Sequence, residues 1–222
     1  MFNLIKSFFF APKWALAVFY APCVLILFIA LLVSEKFGFP ISLLTKDPLS
    51  FTTLHPLTGA ISNIGILLWA FSFAIGCFSF ALLKALGSKR EVIGFILYGV
   101  MISAIFMFDD LFMVHEWLVP KLFGLDEKVV MALYAFILCC YVAIYRKRIL
   151  SHDITFLFVF FGGLGTSVLI DAVPDTYFSH HYILEDGAKF VGIVSWLAYQ
   201  FTQCLFELRS AIHAKEDLLS NG

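Results

Sequence analysis

Charge is scarce in this chain. Asp, Glu, Lys and Arg make up 14% of its 222 residues, against roughly 25% in ordinary soluble domains, a deficit that excludes a water-facing globular surface. The net charge is −1, so nucleic acid is not an expected partner. A cysteine framework is missing as well. Cys23, Cys77, Cys139, Cys140 and Cys204 all fall inside apolar runs, none forms a CxxC pair, and the adjacent Cys139 and Cys140 would project in different directions on a helix. They read as small buried hydrophobes rather than disulfide partners or metal ligands. Neither an internal repeat nor a low-complexity segment is present.

What the chain has is apolar length. It is 61% hydrophobic and 18% aromatic, with 27 phenylalanines and a mean hydropathy of +0.94. That composition predicts an all-α integral membrane protein, a polytopic bundle whose length suits one transmembrane domain over residues 1–222. Six runs are long enough to cross a bilayer as helices, at about residues 14–33, 56–86, 92–117, 129–145, 154–173 and 184–208. Residues 1–13 read as an interfacial lead-in. The first run has no small-residue cleavage site after it, so a retained helix, bent near Pro22, is expected rather than a signal peptide. Residues 34–55 read as a long loop, and residues 209–222 as a short charged tail.

Six spans place both termini on one side. Ten lysines and arginines then fall on that side, including the basic turns around Lys89-Arg90 and Arg146-Lys147-Arg148, and five fall on the other. By the positive-inside rule the termini are cytoplasmic, and the expected location is the inner (plasma) membrane of a bacterial-type cell. In this orientation Asp109, Asp110, His115 and Glu116 of the third span share one depth with Asp171, Glu185 and Lys189, and with Ser62 and Asn63. Carboxylates at membrane depth are costly, about 2.5–3.5 kcal/mol each on insertion scales. They must therefore face other helices, water, a metal or each other.

On one continuous helix Asp109 and Glu116 share a face, about 10 Å apart along the axis, with Asp110 on one flank and His115 on the other. In the last span Glu185, Lys189, Trp196 and Gln203 form a stripe that opens with a favourable Glu-to-Lys pair. The fourth span carries no such stripe and is expected at the periphery. Three uses of the site remain open. Asp109, Asp110, His115, Glu116 and Asp171 are candidate ligands for a divalent metal such as zinc, manganese or iron. The same groups would serve a metal-free pocket for a cationic or hydroxylated ligand, or for protons. They would also serve an interhelical network that only holds the bundle together.

For the metal case the expected chemistry is hydrolysis of a lipid or other amphiphile. Glu116 or Asp110 would act as the catalytic carboxylate, with Glu185, Lys189 and Asn63 contacting the substrate. The non-enzymatic alternative is a small transporter, or a membrane subunit that works as a homo-oligomer or with a partner chain.

Two motifs carry a resemblance. Asp109-Asp110-Leu111-Phe112-Met113-Val114-His115-Glu116 and Glu185-Asp186-Gly187-Ala188-Lys189-Phe190-Val191-Gly192-Ile193-Val194-Ser195-Trp196 resemble a group of uncharacterised bacterial multi-pass membrane proteins. That group has a DDLFxxHE-like helix and an EDGxKxxGIxxW-like last helix, and the likeness implies membership without a known activity. A remoter comparison is with the alkaline ceramidase and adiponectin-receptor-like membrane hydrolases. Their seven-span bundles hold zinc through histidines that include an HxxxH pair on the last helix. The last span expected here has no histidine.

Overall fold

The computed structural model describes residues 13–38, 40–45, 52–55, 57–173 and 181–220. Contacts divide the chain into two units, residues 1–58 and residues 59–222. The first contains α1 (Lys13–Phe37), helical through Pro22, and the single turn α2 (Ser42–Thr45).

The second unit is helical throughout its described length, with α3 (Ala60–Ala85), α4 (Arg90–Phe112), a π-helical segment (Val114–Leu118), α5 (Val119–Phe123), α6 (Glu127–Leu150), α7 (Thr155–Asp171) and α8 (His181–Ser220). Gly87 and Gly124 supply the positive φ, 73° and 65°, at the turns that close α3 and α5. Asp126 caps α6 by accepting the Lys128 N–H at 2.8 Å, which satisfies one of the orphan donors of the first turn. Among the described residues α3, α4 and α6 are each long and apolar enough to cross a membrane, and α7 is apolar but shorter.

The layout is simple. α3 packs against both α4 and α8, α7 lies along α8, and α6 leans on α4 and on the π-helical segment. Between them sit Trp69, Phe95, Tyr141, Phe160, Trp196 and Tyr199, all essentially inaccessible. Apolar helices gain little from hiding from lipid tails that are themselves apolar, so close packing and satisfied polar groups decide the assembly. Both are evident. Ser72, Ser103 and Ser195 donate to the carbonyl oxygens of Leu68, Gly99 and Val191 one turn back. The Trp196 indole donates to Ser103 Oγ at 2.9 Å, and the Tyr141 and Tyr199 hydroxyls meet at 3.1 Å.

Gly163 sets the approach of α7 to α8. A Cβ there would lie 2.7 Å from the Ala188 carbonyl oxygen and 2.8 Å from Gly192 N, both backbone atoms that cannot step aside. Gly163→Ala is therefore expected to cost about 1–3 kcal/mol by overpacking, read as a lower melting temperature in detergent. Gly162→Ala and Gly165→Ala, whose Cβ positions meet nothing within 4 Å, should leave it nearly unchanged.

Three expected boundaries are corrected. The fourth span does not stop at Arg146. Its helix continues to Leu150 through a local distortion at Tyr145 (φ −103°, ψ 15°), because the Arg148 guanidinium is drawn into the bundle by the buried Glu207. The last helix starts at His181 and runs through most of the expected tail, so it does contain histidines, His181 and His213. Finally, the third span is not one helix, and its interruption builds the site.

Candidate functional site

α4 ends at Phe112, three residues after Asp109. Met113 adopts the left-handed conformation (φ 47°, ψ 52°), the one non-glycine with positive φ among the described residues, and the chain re-enters a π-helical turn at Val114. A left-handed non-glycine residue costs about 1–2 kcal/mol, and Asp109 supplies what offsets it. Its Oδ1 accepts the His115 backbone N–H at 3.0 Å and the Tyr134 hydroxyl at 2.8 Å, while Oδ2 accepts the His115 Nδ1–H at 2.5 Å. The carboxylate is only 3% exposed, so each of these bonds replaces water that the site excludes. The break folds His115 back over Asp109 instead of leaving it on the opposite flank.

The neighbouring Asp110 is held differently. Lys189 Nζ lies 2.8 Å from its Oδ1, and the Trp69 indole donates to Oδ2 at 2.9 Å. Two adjacent carboxylates thus take partners from four elements: the π-helical segment and α6 for Asp109, and α8 and α3 for Asp110. His115 presents its other nitrogen, Nε2, 3.7 Å from Glu116 Oε1, and Glu116 is half exposed. In the first turn of α8, His181 Nε2 lies 3.4 Å from Glu185 Oε2.

These groups line a single cavity of about 530 Å³ with an aromatic floor of Trp69, Phe106 and Tyr134. Trp69 and Phe106 stack at 5.1 Å. Among the described residues seven carboxylates and one lysine face it: besides those above, Glu127, Asp171 and Asp186 contribute. The local field is therefore short of positive charge.

Of the residues singled out from the sequence, Asp109, Asp110, His115, Glu116, Asp171, Glu185 and Lys189 all line this cavity. Asn63 does not; it is exposed in the first turn of α3, while its neighbour Ser62 borders a small adjoining groove with Asp110 and Lys189. Asp109, Asp110, His115, Glu116 and Asp171 do not gather as a ligand set: among the described residues no three His, Cys, Asp or Glu side chains converge as metal ligands would. Asp109 and His115 are spent on each other, and Asp110 on Lys189 and Trp69.

Sequence reasoning missed Trp69, Phe106, Tyr134 and Glu127. The available signal was chemical. An indole N–H or a phenol inside an apolar span must find an acceptor, and the nearest unclaimed acceptors were the two aspartates. Tyr134 also makes α6, expected at the periphery, a contributor to the site.

A helical bundle with membrane-length apolar helices and one acidic, aromatic-floored cavity is the class that fold and site define. Within that class, residues 15–203 match the family described as a domain of unknown function (DUF8692), and the chain belongs to it. No curated protein and no solved structure matches the chain.

Proposed function

We propose that the protein is a polytopic inner-membrane protein whose cavity takes the cationic group of an amphiphile or small organic cation, with the Asp109–His115 pair as its acid–base centre. The observation that carries this reading is the charge of the cavity wall, seven carboxylates against one lysine among the described residues, over an aromatic floor. Carboxylates supply the counter-charge for an ammonium group, and Trp69, Phe106 and Tyr134 supply π faces on which a weakly hydrated cation is stabilised by about 0.5–2 kcal/mol. Lys189 does not neutralise the wall because Asp110 claims it.

An aspartate bound to Nδ1 fixes the imidazole tautomer and leaves Nε2 to exchange a proton with a bound ligand. Glu116, at the Nε2 side, is the group that would pass that proton to water. The hydrolase reading and the proton-coupled transport reading both use this pair. Six spans with cytoplasmic termini are supported by the basic residues clustered at the α3–α4 turn and the end of α6. In that orientation the cavity would open toward the outer face.

The test is binding by the purified full-length protein in nanodiscs, with tetramethylammonium and a quaternary-ammonium amphiphile as probes. Glu116→Gln combined with Asp171→Asn is expected to weaken binding at least about tenfold, one unit of 1.4 kcal/mol. No saturable binding by either probe would refute the cation reading. Near-stoichiometric zinc, manganese or iron that disappears in Glu116→Ala would put a metal in the cation's place.

A further inference from the structure

At the other end of the bundle, about 30 Å away along α4, lies a second cavity of about 620 Å³ with the opposite charge. It opens between the α3–α4 turn, the last turns of α6 and the distal half of α8. Its polar wall consists of Ser88, Lys89, Arg148, Glu207, Ser210 and Lys215, and the remainder is aliphatic, including Val92 and Ala211. Among the described residues the only carboxylate in that wall, Glu207, is 4% exposed and already held by Arg148 Nη1. Glu91, which lies 3.8 Å from Arg148 Nε, is largely exposed and does not line the cavity. Lys89 and Lys215 stand in no ion pair among the described residues.

Two side-chain donors at this wall have no hydrogen-bond acceptor among the described residues. Ser88 Oγ and Arg148 Nε are enclosed, and neither makes a hydrogen bond among the described residues. The N-cap of α4 is Lys89, which has no side-chain oxygen to offer the first-turn N–H groups. Enclosed donors without acceptors are rare in folded proteins, and each is accounted for by strain, water or a ligand. A helix N-terminus flanked by lysines and an arginine favours an oxyanion with several acceptor atoms. Among the described residues three basic side chains line the cavity and only Arg148 of them is ion-paired, which favours an anion there over water.

We propose that this cavity binds a phosphate group. The aliphatic part of its wall and its place at the end of apolar helices match the headgroup and glycerol region of an anionic phospholipid, and the same donors would take a free phosphate.

The experiment uses full-length protein in nanodiscs of phosphatidylcholine alone or mixed with phosphatidic acid. Thermal unfolding is followed with inorganic phosphate or with chloride at equal ionic strength. Phosphatidic acid is expected to raise the melting temperature. Lys89→Gln and Lys215→Gln are each expected to weaken its apparent affinity about fivefold, the effect of one basic residue at a membrane surface. Lys121→Gln, whose ammonium sits over the Trp117 ring and outside this cavity, should behave as wild type. If inorganic phosphate alone stabilises the protein and competes with the lipid, the ligand is the free anion. If only phosphatidic acid acts, it is the lipid. Equal melting temperatures in every lipid and salt would overturn the proposal, as would lysine variants that match Lys121→Gln.

Discussion

Asp109→Ala is expected to be the most damaging single substitution in the chain. Removing the carboxylate deletes the acceptor for the Tyr134 hydroxyl, the His115 backbone N–H and the His115 ring N–H at once. Three donors would be left in a pocket where the carboxylate itself is 3% exposed. Breaking one partner out of a buried charged network costs about 3–5 kcal/mol, and the left-handed Met113 then loses the bonds that hold the turn. For a chain of this length that corresponds to a melting temperature lower by on the order of 10 °C. The loss should be local in character: the peptide bonds of residues 113–118 should become the first protease-sensitive site.

Tyr134→Phe removes one of the three bonds. It should cost about 1–2 kcal/mol without exposing that segment. A variant Asp109→Ala that melts with the wild type and resists cleavage at 113–118 would mean that the turn is held by something other than this carboxylate.

The same residues show what was legible in advance. That polar groups from separate spans meet at one level followed from the cost of charge at membrane depth, which leaves such groups few places to go. Which groups pair did not follow, because pairing depends on the rotation of each helix and, for α4, on a break that no glycine or proline announces. Asp109-Asp110 to His115-Glu116 reads as helix by composition, and the left-handed Met113 is stable only because a side chain four residues earlier caps the turn from within. The extent of α6 and α8 was misjudged for a related reason. Arg148 and Glu207 look like surface residues one at a time, and become interior ones only as a pair. The aromatic floor was hidden by abundance, since Trp69, Phe106 and Tyr134 are three aromatics among many in apolar runs.

The second large effect concerns Lys189, which stands between stability and function. Lys189→Met should destabilise the bundle by about 2–3 kcal/mol, toward the low end for a broken internal pair because the lysine side chain is 35% exposed. The cost arises at Asp110, 7% exposed, which keeps the Trp69 indole but loses its counter-charge. Asp110→Asn in the same chain should recover most of that loss, since a neutral amide keeps an acceptor for Trp69 and no longer needs a cation. A double-mutant cycle by thermal unfolding reads this as a coupling energy within the 0.5–3 kcal/mol range of contacting residues.

Binding should move the other way. With Lys189 gone and Asp110 intact, the cavity gains a free carboxylate, so a quaternary-ammonium probe should bind Lys189→Met more tightly than wild type. The double variant should bind it about as wild type does. If Lys189→Met lost stability and affinity together, the lysine would be a direct ligand contact, and the occupant of the cavity would have to carry negative charge beside it.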